Sequence, residues 1–112
     1  MNSRQKGVRG ELLWRDVLRS QGYEAIRGRQ YSGGADSPDV ICNLPFHFEV
    51  KFVEKLNIRD AMTQAKDDSP NDKTPVVAHK KKRDDWLVTM SAEDFFKILR
   101  GELPHRKEKE KT

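Results

Sequence analysis

From Phe46 to Phe52 the chain alternates without a break, with Phe46, Phe48, Val50 and Phe52 apolar and His47, Glu49 and Lys51 polar. A period of two is the strand signature, so Glu49 and Lys51 project side by side from one face. The preceding Asn43-Leu44-Pro45 is a turn signal, and the short run Val40–Cys42 ahead of it predicts a strand folded back as a hairpin. That fold-back brings Asp39 next to Glu49. Upstream, Arg4 to Gln21 has helical spacing, with Val8, Leu12, Leu13, Trp14, Val17 and Leu18 forming a broad apolar arc. Downstream, Ile58, Ala61, Met62 and Ala65 predict a second helix over Asn57–Asp68, with Asn57 as N-cap. Pro70 forbids its continuation into the loop Asp67–Asp72. Pro75–His79 and Trp86–Met90 read as two more strands around a charged turn. Ser91 opens a last helix as N-cap, with Glu93 and Asp94 favouring its dipole. Phe95, Phe96, Ile98 and Leu99 are expected to pack inward, and Gly101 and Pro104 end the helix. Residues 1–103 thus read as one domain, and the charged stretch 104–112 as a disordered tail.

Glu11 breaks the pattern of the first helix. At about a hundred degrees per residue it falls inside the apolar arc, between Leu18 and Val8. Gly7, one turn earlier on that face, leaves room for close approach. A carboxylate there is costly to bury unless it meets a cation or a metal. An ordinary explanation is a Glu11–Arg15 pair at i,i+4. The ordinary explanation of His47, Glu49 and Lys51 is the wet face of a hairpin carrying a surface ion pair. The chemical explanation is that two carboxylates and an ammonium converge, as a magnesium-dependent phosphodiesterase requires. Mg²⁺ takes hard oxygen ligands, activates a bound water and stabilises phosphoryl charge. A neighbouring Lys orients or deprotonates that water.

Pro38-Asp39, nine residues, then Glu49-Val50-Lys51, in a strand–turn–strand context, resembles the PD-(D/E)xK nuclease signature. The order of elements from about Arg4 to Leu99 is similar too, with an acidic residue on the helix before the motif. The resemblance implies an α/β domain of the restriction-endonuclease-like type, with a mixed central β-sheet flanked by helices. Val8-Arg9-Gly10-Glu11 resembles the first helix of the archaeal-type Holliday-junction resolvases. Their Ser-rich loop before the motif matches Tyr31–Ser37, with Ser32 in the position of a catalytic serine. On this resemblance Glu11, Ser32, Asp39, Glu49 and Lys51 are the catalytic set. Asp39, Glu49, Glu11 and the Val50 carbonyl hold Mg²⁺, with Mn²⁺ as substitute. Gln64 on the second helix faces the site or the DNA. A homodimer placing paired nicks in opposed strands, and 5′-phosphate and 3′-hydroxyl ends, are likewise implied. The long acidic loop Asp67–Asp72 departs from the resolvase pattern.

Charge bears on the partner. Hydrophobic residues make up 35% of the 112 and charged residues 36%, with a net charge of +4. A pI near 9.3 suits an anionic polymer. Arg4, Lys6 and Arg9, then Arg27 and Arg29, Lys66 and the run Lys80-Lys81-Lys82-Arg83 form a candidate track for a DNA backbone. Cys42, the single cysteine, is expected in the core and permits no intrachain disulfide. His47, His79 and His105 lack zinc-like spacing. No apolar run approaches spanning length and no signal-like segment opens the chain, so an intracellular protein, of host or phage, is the expectation. Two other functions fit the same residues. One is a small nuclease of the same superfamily cutting flaps, single strands or duplex; the other is a nucleic-acid-binding module without activity.

Overall fold

A computed structural model describes residues 3–28 and 39–102, with side chains from residue 7 onward. The elements run α1 (Ser3–Ser20), β1 (Ala25–Arg27), β2 (Val40–Cys42), β3 (Phe46–Phe52), α2 (Ile58–Asp68), β4 (Thr74–Lys80), β5 (Leu87–Thr89) and α3 (Ala92–Leu99). The capping chemistry read from the sequence is present. Asn57 Oδ1 accepts from the Asp60 N–H at 3.1 Å, and Ser91 Oγ from the Asp94 N–H at 3.1 Å.

The five strands form one sheet in chain order. β1, β2 and β3 pair antiparallel, β3 and β4 pair parallel through the α2 crossover, and β5 returns antiparallel on β4. The fold is therefore α/β with a mixed central sheet flanked by helices. Two-residue alternation sorts the core into two layers. On one face Trp14 and Leu18 of α1 pack on Phe48, Val50, Val76 and Ala78, and the Trp14 and Phe48 rings meet edge-on at 5.3 Å. On the other face Ala61 and Ala65 of α2 pack on Val77, with Leu56, Ile58 and Met62 around them.

The second layer changes the meaning of the alternating strand. A parallel β–α–β unit is covered on both faces. Accordingly the polar side of β3 is not wet: His47 is 2% exposed and Glu49 4%. The surface-hairpin explanation is excluded for His47 and Glu49, while Lys51 remains partly exposed. Cys42 packs against the first layer, as expected.

Two packing expectations are corrected. Gly7 approaches nothing within 4 Å, whereas a Cβ on Gly10 would lie 2.7 Å from Phe52 Cβ. Gly10, not Gly7, lets α1 close on β3. The last helix does not bury its apolar side, for Phe95, Phe96 and Leu99 are 48%, 52% and 65% exposed and Ile98 is half-buried. Its amphipathic spacing was legible, but β5 is a short edge strand whose own Leu87 and Val88 remain exposed. Among the described residues, no helix is long and apolar enough to cross a membrane.

Candidate active site

Asp39 stands at the entrance to β2, beside the pair Val40↔Phe48 that joins β2 to β3. Its backbone is fixed from both neighbouring strands. The Asp39 N–H donates to the Phe48 carbonyl at 3.3 Å, and its carbonyl accepts from the Gly28 N–H at 2.9 Å. Its carboxylate turns onto β3, where Oδ2 accepts the Val50 N–H at 2.7 Å. That bond replaces the next rung of the ladder by a side chain. The N–H and C=O of one strand residue point to the same edge, so the Val50 carbonyl is directed to the edge that Asp39 occupies. Two positions along β3, Lys51 Nζ lies 3.4 Å from Glu49 Oε2 and donates to Gln64 Oε1 at 3.3 Å. Gln64 thus reaches the site from α2, where the second helix was expected to supply a polar residue.

Glu11 comes in from α1. Its carboxylate is largely buried and accepts from Arg27 Nε on β1 at 2.7 Å. Arg15 instead pairs with its neighbour Asp16 at 2.7 Å, so the i,i+4 explanation of Glu11 fails. The charge of Glu11 adds, as one of the lesser influences, to the upward shifts of Asp39 and Glu49. Asp68, in the last turn of α2, acts on Glu49 in the same sense. From the sequence Asp68 is the end of the second helix and part of the acidic loop, with no role at the site. Its signal was the spacing Ala61, Gln64, Ala65, Asp68, one face at i, i+3, i+4 and i+7.

The electrostatics follow from burial. Asp39 is pushed up from 3.8 to about 7, first by loss of solvent and then by the Glu49 charge, against the lowering Val50 hydrogen bond. Glu49 is also raised by burial, although Lys51 pulls the other way. One ammonium therefore does not balance the cluster. Carboxylates buried side by side in this way favour a proton or a cation between them. Among the described residues no three His, Cys, Asp or Glu side chains are grouped to hold a metal ion by themselves. Mg²⁺ asks for less: one or two carboxylates, with waters and substrate phosphate completing the shell. Asp39, Glu49 and the Val50 carbonyl fit that donor set.

The basic residues divide. Arg27 gives its Nε to Glu11 at 2.7 Å and keeps its side chain 38% exposed, so the rest of the guanidinium still faces outward. Arg9 is exposed, its guanidinium 5.8 Å from the centre of the Phe52 ring. Lys66 is exposed on the last turn of α2. Lys81, Lys82 and Arg83 are exposed in the turn after β4, at the same end of the parallel strands as Lys51. Lys80 Nζ donates to the Asp84 carbonyl and Arg83 is left-handed (φ 66°), so this turn has a defined shape. The side chains of Arg4 and Lys6, together with Arg29, Ser32, the Gly33-Gly34 loop and the stretch 104–112, lie outside the described residues.

The chain matches no protein-family model and no curated protein sequence.

Proposed function

We propose that this protein is a divalent-metal-dependent DNA endonuclease of the PD-(D/E)xK, restriction-endonuclease-like type, and a Holliday-junction resolvase working as a homodimer. The observation that carries the reading is the buried pair Asp39–Glu49 with Lys51 beside it on the next outward position of β3. A protein that only binds DNA gains nothing from crowding buried acids where phosphate must approach.

Asp39, Glu49 and the Val50 carbonyl would hold Mg²⁺ or Mn²⁺. Bound there, the ion would lower the pKa of a water and offset charge gathering on the phosphoryl oxygens. Lys51, held between Glu49 and Gln64, keeps N–H donors for the attacking water or a phosphate oxygen. Gln64 limits where the Lys51 ammonium can swing. Glu11, itself fixed by Arg27, adds negative charge that favours a cation in the cluster. The exposed cations Arg9, Lys66 and Lys81–Arg83 would position the DNA backbone without reading its sequence.

The test is cleavage of an end-labelled four-way junction, a linear duplex and a 5′ flap, with Mg²⁺ or with EDTA. Wild type and Asp39→Asn are compared. The reading predicts symmetric nicks in the junction that vanish with EDTA and fall at least about 10²-fold in the variant. Cutting confined to flap or duplex would remove the junction assignment. Tight, salt-sensitive binding with no cutting of any substrate would leave a binding module.

A further inference from the structure

A cavity of about 200 Å³ opens beside the candidate site, on the sheet face that α2 covers. Its walls are the aliphatic side chains of Val53, Leu56, Ile58 and Leu87, with His79 between them. The registers Lys51↔His79 and His79↔Leu87 set Lys51, His79 and Leu87 in one row across three adjacent strands. Directly paired residues share a face, and neighbouring strands lie about 4.8 Å apart. Lys51 lies outside the cavity, and its paired neighbour His79, about one strand spacing away, is part of the lining. That is the reach from a phosphate to its own or an adjoining base.

The cavity is built before any ligand arrives. His79 Nε2 lies 2.9 Å from Thr89 Oγ1, which holds the imidazole plane in place. Glu54 Oε2 accepts the Lys82 N–H at 2.8 Å, tying the β4–β5 turn to the segment after β3. Its charged lining is Lys80 and Lys81 together with Glu54, Asp84 and Asp85. The volume is below the roughly 300 Å³ at which pockets begin to hold drug-sized molecules, so it suits one flat ring system and no more.

We infer that this cavity receives one unpaired nucleobase of the DNA strand lying across Asp39, Glu49 and Lys51, stacked on His79 against the aliphatic wall. The inference rests on the nuclease reading and adds that one base next to the cut, at a branch point or in a single strand, leaves the stack when the DNA binds. Bases taken out of the stack are held in just this manner, between flat and apolar side chains. Lys81, exposed in the same turn, would meet a flanking phosphate. The carboxylates of Asp84 and Asp85 accept hydrogen bonds from exocyclic amino groups, which favours cytosine, adenine or guanine over thymine.

The test uses labelled single strands of about 12 nucleotides, a length that one binding face can hold. Every base is cytosine, thymine or absent, and the sugar–phosphate charge is constant. Binding is followed by fluorescence anisotropy with Ca²⁺ in place of Mg²⁺. Wild type is expected to bind the cytosine strand about tenfold more tightly than the abasic strand, a difference in the range of one stacked base. Thymine should fall between them. In His79→Ala, and independently in Leu87→Gln, the cytosine-to-abasic ratio should shrink to about twofold or less; melting curves check that each variant is folded. Equal binding of the three strands by wild type, with junction or duplex cleavage intact, overturns the cavity and leaves the nuclease standing. A ratio unchanged in both folded variants overturns it as well. Absence of binding to any DNA overturns both readings.

Discussion

Asp39 carries two demands that conflict in the free protein. Its Oδ2 is needed to accept the Val50 N–H, yet its charge lies buried beside Glu49 and within the field of Glu11. With its pKa raised to about 7, the folded chain holds more protons than the unfolded chain between about pH 4 and 7. Asp39's contribution is thus most favourable below its unfolded value and is lost as pH rises through about 7. Glu49, raised by burial, acts in the same direction. Melting temperatures in EDTA should therefore fall over this window, and Asp39→Asn, which keeps an acceptor for Val50, should flatten the slope. At pH 8 the variant should be the more stable by about 1–2 kcal/mol. A steeper acid-side gain in the variant than in wild type would contradict this. Cleavage at limiting Mg²⁺ should follow the opposite course and rise with pH, because the ion must displace the proton that burial favours on Asp39.

Two glycines on the same helix separate packing from propensity. Gly10→Val forces a side chain into the 2.7 Å space above Phe52 and should cost about 2 kcal/mol by overpacking. Gly7→Ala meets nothing within 4 Å and should gain about 0.5–1 kcal/mol from helix propensity. Chemical denaturation of the two variants decides the pair; effects of like sign would mean that α1 does not sit on β3 through Gly10.

At the scale of elements, α2 does more than connect parallel strands. Its inward row combines Ala61 and Ala65, which let the helix come close to Val77, with Gln64 and Asp68, which reach Lys51 and act on Glu49. Replacing Gln64 by Ala should slow cleavage about tenfold or less, with little loss of stability, because its partner is an exposed-side ammonium rather than a buried one. A loss as large as that of Asp39→Asn would place Gln64 among the groups that touch substrate. The last helix has the contrary character. Phe96 is 52% exposed, so Phe96→Ser should change stability by no more than about 0.5 kcal/mol in urea melts.

Much of the molecule was readable from its sequence, and the failures have physical causes. Strict alternation in 46–52, the turn at Asn43–Pro45 and the caps Asn57 and Ser91 are local signals, and each element lies where they put it. The joining of Asp39, Glu49 and Lys51 was also legible, because hairpin register and strand period are local geometry. What was not legible depends on tertiary placement. Alternation cannot say whether the polar side of a strand faces water or a helix, so the burial of Glu49 had to come from the β3–α2–β4 crossover. Helical spacing in 92–99 cannot say whether anything covers it. Arg27 as the partner of Glu11 joins β1 to α1, and no spacing in the chain encodes that pairing.

The whole account turns on whether the buried carboxylate pair is a cation site. Calorimetric titration of the full chain with Mn²⁺ at pH 8, for wild type, Asp39→Asn and Glu49→Gln, addresses it most directly. One Mn²⁺ should bind per wild-type chain, with affinity reduced about tenfold or more in either folded variant and a rise in melting temperature on Mn²⁺ addition confined to wild type. Binding of Mn²⁺ that is equal in all three proteins, or no binding by wild type, would contradict it.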